Sequence, residues 1–134
     1  MWVSFSHAQT PSLRERADKG DADAQFNLGK MYEAGRGRYQ KDYAEAARWY
    51  RASAEQGDAF AQASLGILYR FGKGVPQNYV QAYMWFQLAA SQDTEGAEES
   101  IAEMHDAAAA RMSPQQIAEA VRLAREWKPK RARQ

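Results

Sequence analysis

Apolar positions in this chain fall at helical spacing, and they do so twice. Over 21–34, Ala24, Leu28, Met31 and Tyr32 stand at i, i+4, i+7 and i+8 and share one helical face. Over 58–71, Ala61, Leu65, Leu68 and Tyr69 form a matching face. A second kind of stripe follows each: Tyr43, Ala46, Ala47, Tyr50 and Ala54 over 41–56, then Tyr79, Ala82, Tyr83, Phe86 and Ala90 over 78–91. A short helix is predicted ahead of them over 11–19, opened at Thr10 or Ser12 beside Pro11 and stopped by Gly20. Behind them, Ala97, Ile101, Met104 and His105 mark a helix reaching about Arg111. Ser113-Pro114-Gln115-Gln116 reads as a capping box with proline at the first helical position, and Ile117, Ala120, Val121 and Ala124 carry that last helix to about Trp127. The pattern predicts an all-α chain of about six helices besides the short first one.

The two halves are in register. Leu28-Gly29-x-x-Tyr32-x-x-Gly35-x-Gly37 returns 37 residues later as Leu65-Gly66-x-x-Tyr69-x-x-Gly72-x-Gly74. Tyr43-x-x-Ala46-x-x-Trp49 returns after 36 as Tyr79-x-x-Ala82-x-x-Trp85. One extra residue therefore lies between Gly37 and Tyr43, in a loop, where stacked units tolerate insertions. A period of this length predicts a stacked helical array. Gly29 and Gly66 sit inside helices, where glycine costs about 0.5–1 kcal/mol relative to alanine. Close approach of a neighbouring helix would compensate, and the small Ala46, Ala54, Ala82 and Ala90 fit the same demand.

The 134 residues suffice for one domain with a modest core. No cysteine is present, which excludes disulfides and thiolate metal sites. A net charge of +1 gives no general attraction to nucleic acid or membrane, and no apolar run has the roughly 18–20 residues of a span. Charge is uneven locally. Asp93, Glu95, Glu98, Glu99, Glu103 and Asp106 have no Lys or Arg among them, whereas 111–134 is mainly basic. Helix-dipole support accounts for Glu95, Glu98 and Arg125, and Lys128–Arg133 reads as a solvated tail.

These motifs resemble the Sel-one-like repeat (SLR) family, a relative of the tetratricopeptide repeat. The resemblance rests on Gly-Asp-Ala at 20–22 and 57–59 together with Leu-Gly-x-x-Tyr, Gly-x-Gly and Tyr-x-x-Ala-x-x-Trp. The segment from Ala110 to Trp127 looks like the capping segment of many bacterial members. The resemblance implies a right-handed α-solenoid of antiparallel helix pairs and an adaptor or scaffold role. On that frame, 1–10 is a tail and 11–128 the solenoid: a capping helix (11–19), repeat one (20–56), repeat two (57–92), and a degenerate repeat with C-terminal cap (93–128). A basic tail follows over 129–134. The resemblance also implies that the first helix of each pair lines the concave face. Asp23, Phe26, Lys30 and Glu33 would face the groove from unit one; Phe60, Ile67, Arg70 and Phe71 from unit two; Glu99, Glu103 and Asp106 from unit three. Because a central helix of an array is covered on two sides, burial is favoured over ligand contact for Ile67, and the two readings stand level for Phe60, Arg70 and Phe71. Penicillin binding, reported in a cysteine-rich subgroup, is not carried over to a chain without cysteine.

No catalytic constellation emerges. The two histidines are His7, in the tail, and His105, which takes the slot of Tyr69 and reads as a packed helix residue. His-Glu-x-x-His, Gly-x-Ser-x-Gly and Ser-x-x-Lys are absent. Gly35-Arg36-Gly37 and Gly72-Lys73-Gly74 are helix stops; no strand precedes them as a phosphate loop requires. The expectation is a non-enzymatic module with no cofactor and no metal. It binds a protein or peptide partner through the groove, without nucleic acid or membrane insertion, as a monomer or weak homodimer. The alternatives are a cell-wall-related hydrolase, on family association alone, and a structural fragment that self-associates through an end helix at Met84 or Trp127. Trp2, Val3 and Phe5 ahead of Ser6-His7-Ala8 resemble the end of a secretory signal, which points to export in a bacterium; a docking tail on a cytoplasmic protein is the alternative.

Overall fold

The structure, a computed structural model, describes residues 10–92 and 94–130. The secretory-signal expectation for residues 1–9, the acid at 93 and the basic residues at 131–134 lie outside the described residues. Seven helices are present among the described residues, the short first one adding to six of full length: α1 (Leu13–Asp18), α2 (Ala22–Ala34), α3 (Tyr43–Glu55), α4 (Ala59–Phe71), α5 (Tyr79–Ala90), α6 (Glu98–Ala109) and α7 (Pro114–Glu126).

Each boundary has a local cause. Asp21, Asp42, Asp58 and Asn78 cap α2 to α5, each side chain accepting from the backbone N–H three residues on. Ser12 opens α1 in the same way. The capping box at Ser113 is complete: its Oγ accepts from Gln116 N at 3.1 Å, and Gln116 Oε1 accepts from Ser113 N at 2.9 Å. Gly35 and Gly72 close α2 and α4 in the left-handed region, at φ +69° and +67°, donating to Met31 O and Leu68 O. The helices are one or two residues shorter than the apolar stripes suggest, because these capping residues lie outside them. Glu98 and Glu99 fall in the first turn of α6 and Arg125 in the last turn of α7, where the helix dipole favours them; Glu95 precedes α6 and has no such role.

The helices form an α-solenoid of antiparallel pairs. α2 pairs with α3 and α4 with α5, while α1 packs on α2 and α3 on α4. α6 and α7 both pack on α5, so the third unit does not close into a hairpin as tight as the first two. The central core joins Ala46, Ala47, Tyr50 and Ala54 of α3 to Ala61, Leu65 and Leu68 of α4 and to Met84, Trp85 and Leu88 of α5. Met84 is thus buried and offers no dimer surface, contrary to expectation; Trp127 is half-buried with its ring 6.1 Å from that of Trp85. Lys130, expected in a solvated tail, is tied back: its N–H donates to Glu55 O at 2.6 Å and its ammonium pairs with the Glu55 carboxylate.

The interior glycines are explained by an aromatic ring. A Cβ on Gly29 would lie 2.6 Å from the Tyr50 ring, and one on Gly66 would lie 2.6 Å from the Phe86 ring. The ring from the second helix of the pair lies flat on the first helix at that point, so its closest neighbour is a side chain rather than a helix backbone. Buried glutamines then tie each unit to the one before. Gln25 Nε2 donates to Ala17 O at 3.1 Å and Gln62 Nε2 to Ala54 O at 3.2 Å. Gln56 and Gln92 Nε2 in turn donate to the side-chain Oε1 atoms of Gln25 and Gln62. Glu98 holds the next equivalent position, and its carboxylate cannot donate to Ala90 O. Ala90 is exposed, contrary to the inward placement expected, and Ala89 is buried instead.

Candidate functional site

The first helices of the units lie side by side and present the candidate groove. Phe26 of α2 meets Phe60 of α4 with ring centres 6.2 Å apart, and Ile67 of α4 joins the cluster that holds Met104 of α6. Residues 37 apart in units one and two occupy the same place on this face. Asp23 corresponds to Phe60, Lys30 to Ile67, Glu33 to Arg70 and Ala34 to Phe71. At these four places α2 carries charged or small side chains, and α4 carries two phenylalanines, an isoleucine and an arginine.

The residues assigned to the groove divide by their surroundings. Phe60 and Phe71 are 47% and 53% exposed, the two exposed large apolar side chains among the described residues. They are three helical turns apart on α4. Phe26 is half-buried between Tyr50 and Phe60, with the Lys30 ammonium 5.3 Å from its ring centre. Ile67 is half-buried in the core cluster between α4, α5 and α6. Arg70 is half-buried with its guanidinium 4.7 Å from the Phe71 ring centre. Glu99 and Glu103 are exposed on α6, with no ion pair to a described residue. A cavity of about 600 Å³ opens beside α2, lined by Asn27, Lys30, Met31, Glu33, Ala34 and Arg36.

Glu33 is committed to the frame. The Tyr50 hydroxyl donates to its Oε1 at 2.5 Å and also interacts with Ser64. Burial, then the neighbouring Glu33, pushes the Tyr50 phenol far above its ordinary value, so it remains a donor at any physiological pH. At the equivalent seam of unit two stands Phe86, which has no hydroxyl. Farther along, His105 lies on Tyr83 with ring centres 4.2 Å apart, and its Nε2 sits 2.7 Å from Gln87 Oε1. His105 is thus a packed, half-buried residue. Burial, with Asp106 adding to it, raises the Tyr83 phenol. Among the described residues no group of three or more His, Cys, Asp or Glu is placed to hold a metal ion, and no helix is long and apolar enough to cross a membrane.

Three residues were not singled out from the sequence for binding: Lys41, Tyr43 and Lys73, the first two stacked together and linked to Phe71 through Lys73. Tyr43 and Lys73 read there as a seam aromatic and part of a helix stop. A departure between units marks Lys41, since Gln77 stands in its place, but Tyr43 and Lys73 carry no such signal, because Tyr79 and Arg36 match them.

The family model described as Sel1 repeat matches residues 22–58 and 59–94, more than half of the chain. A protective antigen of uropathogenic Escherichia coli strains that displays an SLR fold, c5321, is similar at 36% identity with a TM-score of 0.79. That match covers 86% of this chain and 24% of the antigen. A Sel1 repeat protein from Oxalobacter formigenes is similar at 34% identity with a TM-score of 0.62, over 69% of this chain and 26% of that one. The chain thus spans about a quarter of the length of each. No curated protein matches it.

Proposed function

This chain belongs to the Sel1 repeat family, whose members are generally protein-interaction modules, and on that premise we propose that it binds a segment of a protein partner across the groove faces of α2, α4 and α6. The reading rests on Phe60 and Phe71. Unit one fills the same places with Asp23 and Ala34 and still folds, so the repeat does not require aromatic rings there. Each exposed ring leaves apolar area in water that a partner side chain can cover, at about 25 cal/mol per Å². Phe26 and Lys30 extend the surface to one side, and Glu99 and Glu103 offer carboxylates on the other, where a basic partner side chain fits. Aromatic residues and arginine dominate binding energy at such surfaces, which favours Phe60, Phe71 and Arg70 as anchors. Binding proceeds without catalysis, cofactor or metal, and the partner is a protein or peptide rather than a nucleic acid.

Selection of a displayed random peptide library on the pure chain tests this. Recovered peptides are expected to lose at least about tenfold in affinity when Phe60→Ser and Phe71→Ser are combined, with an unchanged melting curve. Equal binding to the variant would count against the groove. A large loss of stability would instead place the two phenylalanines in the core.

A further inference from the structure

We propose that the loop edge where units one and two meet is a second recognition surface, which takes an acidic segment of a protein partner. Five side chains form a ladder across it. The Lys41 and Lys73 ammonium groups lie 5.2 Å and 5.3 Å from the centre of the Tyr43 ring, so one ring serves two cations. Lys73 is also 5.9 Å from the Phe71 ring centre, and the Arg70 guanidinium lies 4.7 Å from it. None of these three cations has a carboxylate partner among the described residues, although seven ion pairs form elsewhere.

The repeat does not require this chemistry. Lys41 and Gln77 hold the same loop position, with their Cβ atoms 3.1 Å and 3.2 Å from where a Cβ on Gly35 or Gly72 would be. The loop geometry is therefore kept while the charge is not. Glu33 and Ala34 likewise stand where Arg70 and Phe71 do. The ladder occurs once, at one seam. Three like charges gathered without a counter-ion repel one another, and an incoming carboxylate relieves that repulsion. The rings hold the cations in place beforehand, which lowers the entropy lost on binding. The chain as a whole carries a net charge of only +1, which gives no general attraction to a polyanionic nucleic acid; a short acidic segment fits three local cations better. The surface shares Arg70 and Phe71 with the end of the groove, and Lys41, Tyr43 and Lys73 play no part in the groove.

The test is fluorescence anisotropy with a labelled peptide of about twelve residues, Glu and Asp alternating with Gly and Ala. Controls are its Lys-for-acid counterpart, oligothymidine of equal length and phosphatidylglycerol vesicles. The acidic peptide is expected to bind, to weaken with added salt, and to lose about tenfold in affinity in the Lys41→Gln/Lys73→Gln double variant. Phe60→Ser is expected to leave this binding unchanged, which separates the edge from the groove. Absence of binding, equal affinity in the double variant, or tighter binding of the oligonucleotide or vesicles would each overturn the proposal.

Discussion

The second glycine of each Gly-x-Gly loop has the same conformation and a different neighbour. Gly37 has φ +64° and no described atom within 4 Å of where a Cβ would sit. Gly74 has φ +73°, and a Cβ there would come 2.3 Å from the carbonyl oxygen of Tyr43. Both satisfy a turn that L-residues resist, but only Gly74 also lets unit two seat on the second helix of the unit before it. The interior glycines behave otherwise. Gly29 and Gly66 meet Tyr50 and Phe86 at the same distance, because each ring belongs to the same unit as its glycine. One sequence motif therefore contains residues of three kinds: those that shape a loop, those that close a unit, and those that join units. Sequence spacing alone does not separate them.

The largest expected effect is Gly74→Ala, which strains the turn and overlaps backbone; a loss of about 3–5 kcal/mol in urea unfolding is predicted. Gly37→Ala carries the turn strain alone and is expected to cost about 1–2 kcal/mol. Equal losses in the pair would erase the distinction between loop and joint. Next come Gly29→Ala and Gly66→Ala. Each is predicted to cost about 2 kcal/mol after the helix-propensity gain, and the two should match.

Tyr50→Phe is smaller. The ring remains over Gly29 and only the hydroxyl's interactions with Glu33 and Ser64 are lost, so about 1 kcal/mol is expected, with Phe86 as the natural precedent in unit two. Asp58→Asn is smallest and opposite in sign. Burial raises the Asp58 carboxyl, the Ala61 N–H opposes this, and Asp23 adds to it. A carboxyl raised on folding makes its ionised form a cost to the native state. That cost is complete above the folded pKa, fades as pH falls through it, and is gone below the ordinary Asp value near 3.9. Asparagine keeps the cap, as Asn78 does, and removes the charge. Thermal melts at a series of pH values should show a gain of up to about 1 kcal/mol at neutrality that vanishes in acid. A gain that grows in acid would contradict this.

Much of the fold was legible because helix faces, caps and stops are local. The Leu-Gly-x-x-Tyr and Gly-x-Gly spacings placed four helices within two residues, and Ser113 announced its capping box. Long-range consequences were not legible. Ala90 continues the apolar stripe of α5 yet is exposed at that helix's last residue. Met84 looked free on an end helix and is covered by the central core. The glutamines at 25 and 62 repeat in register, but polar residues on a helix carry no sign of burial until both neighbours are placed. On the candidate groove, Ile67 is half-buried, as its place on a central helix suggested, while only the packing of neighbouring units decided that Phe60 and Phe71 are exposed. The cationic ladder needed two loops brought together, which no single stretch of sequence records.

The central claim is that, on the groove face, positions shared by the two units carry the frame and positions that differ carry recognition. Writing unit-one residues into unit two, as Phe60→Asp, Arg70→Glu and Phe71→Ala together, tests it directly. Ile67 stays, because it belongs to the core. Melting temperature and affinity for a groove-selected peptide are then measured on the same sample. The account predicts a melting temperature within a few degrees of the parent and a loss of peptide affinity of about a hundredfold, three anchor side chains being removed. A chain that unfolds on substitution, or one that keeps its affinity, would contradict it.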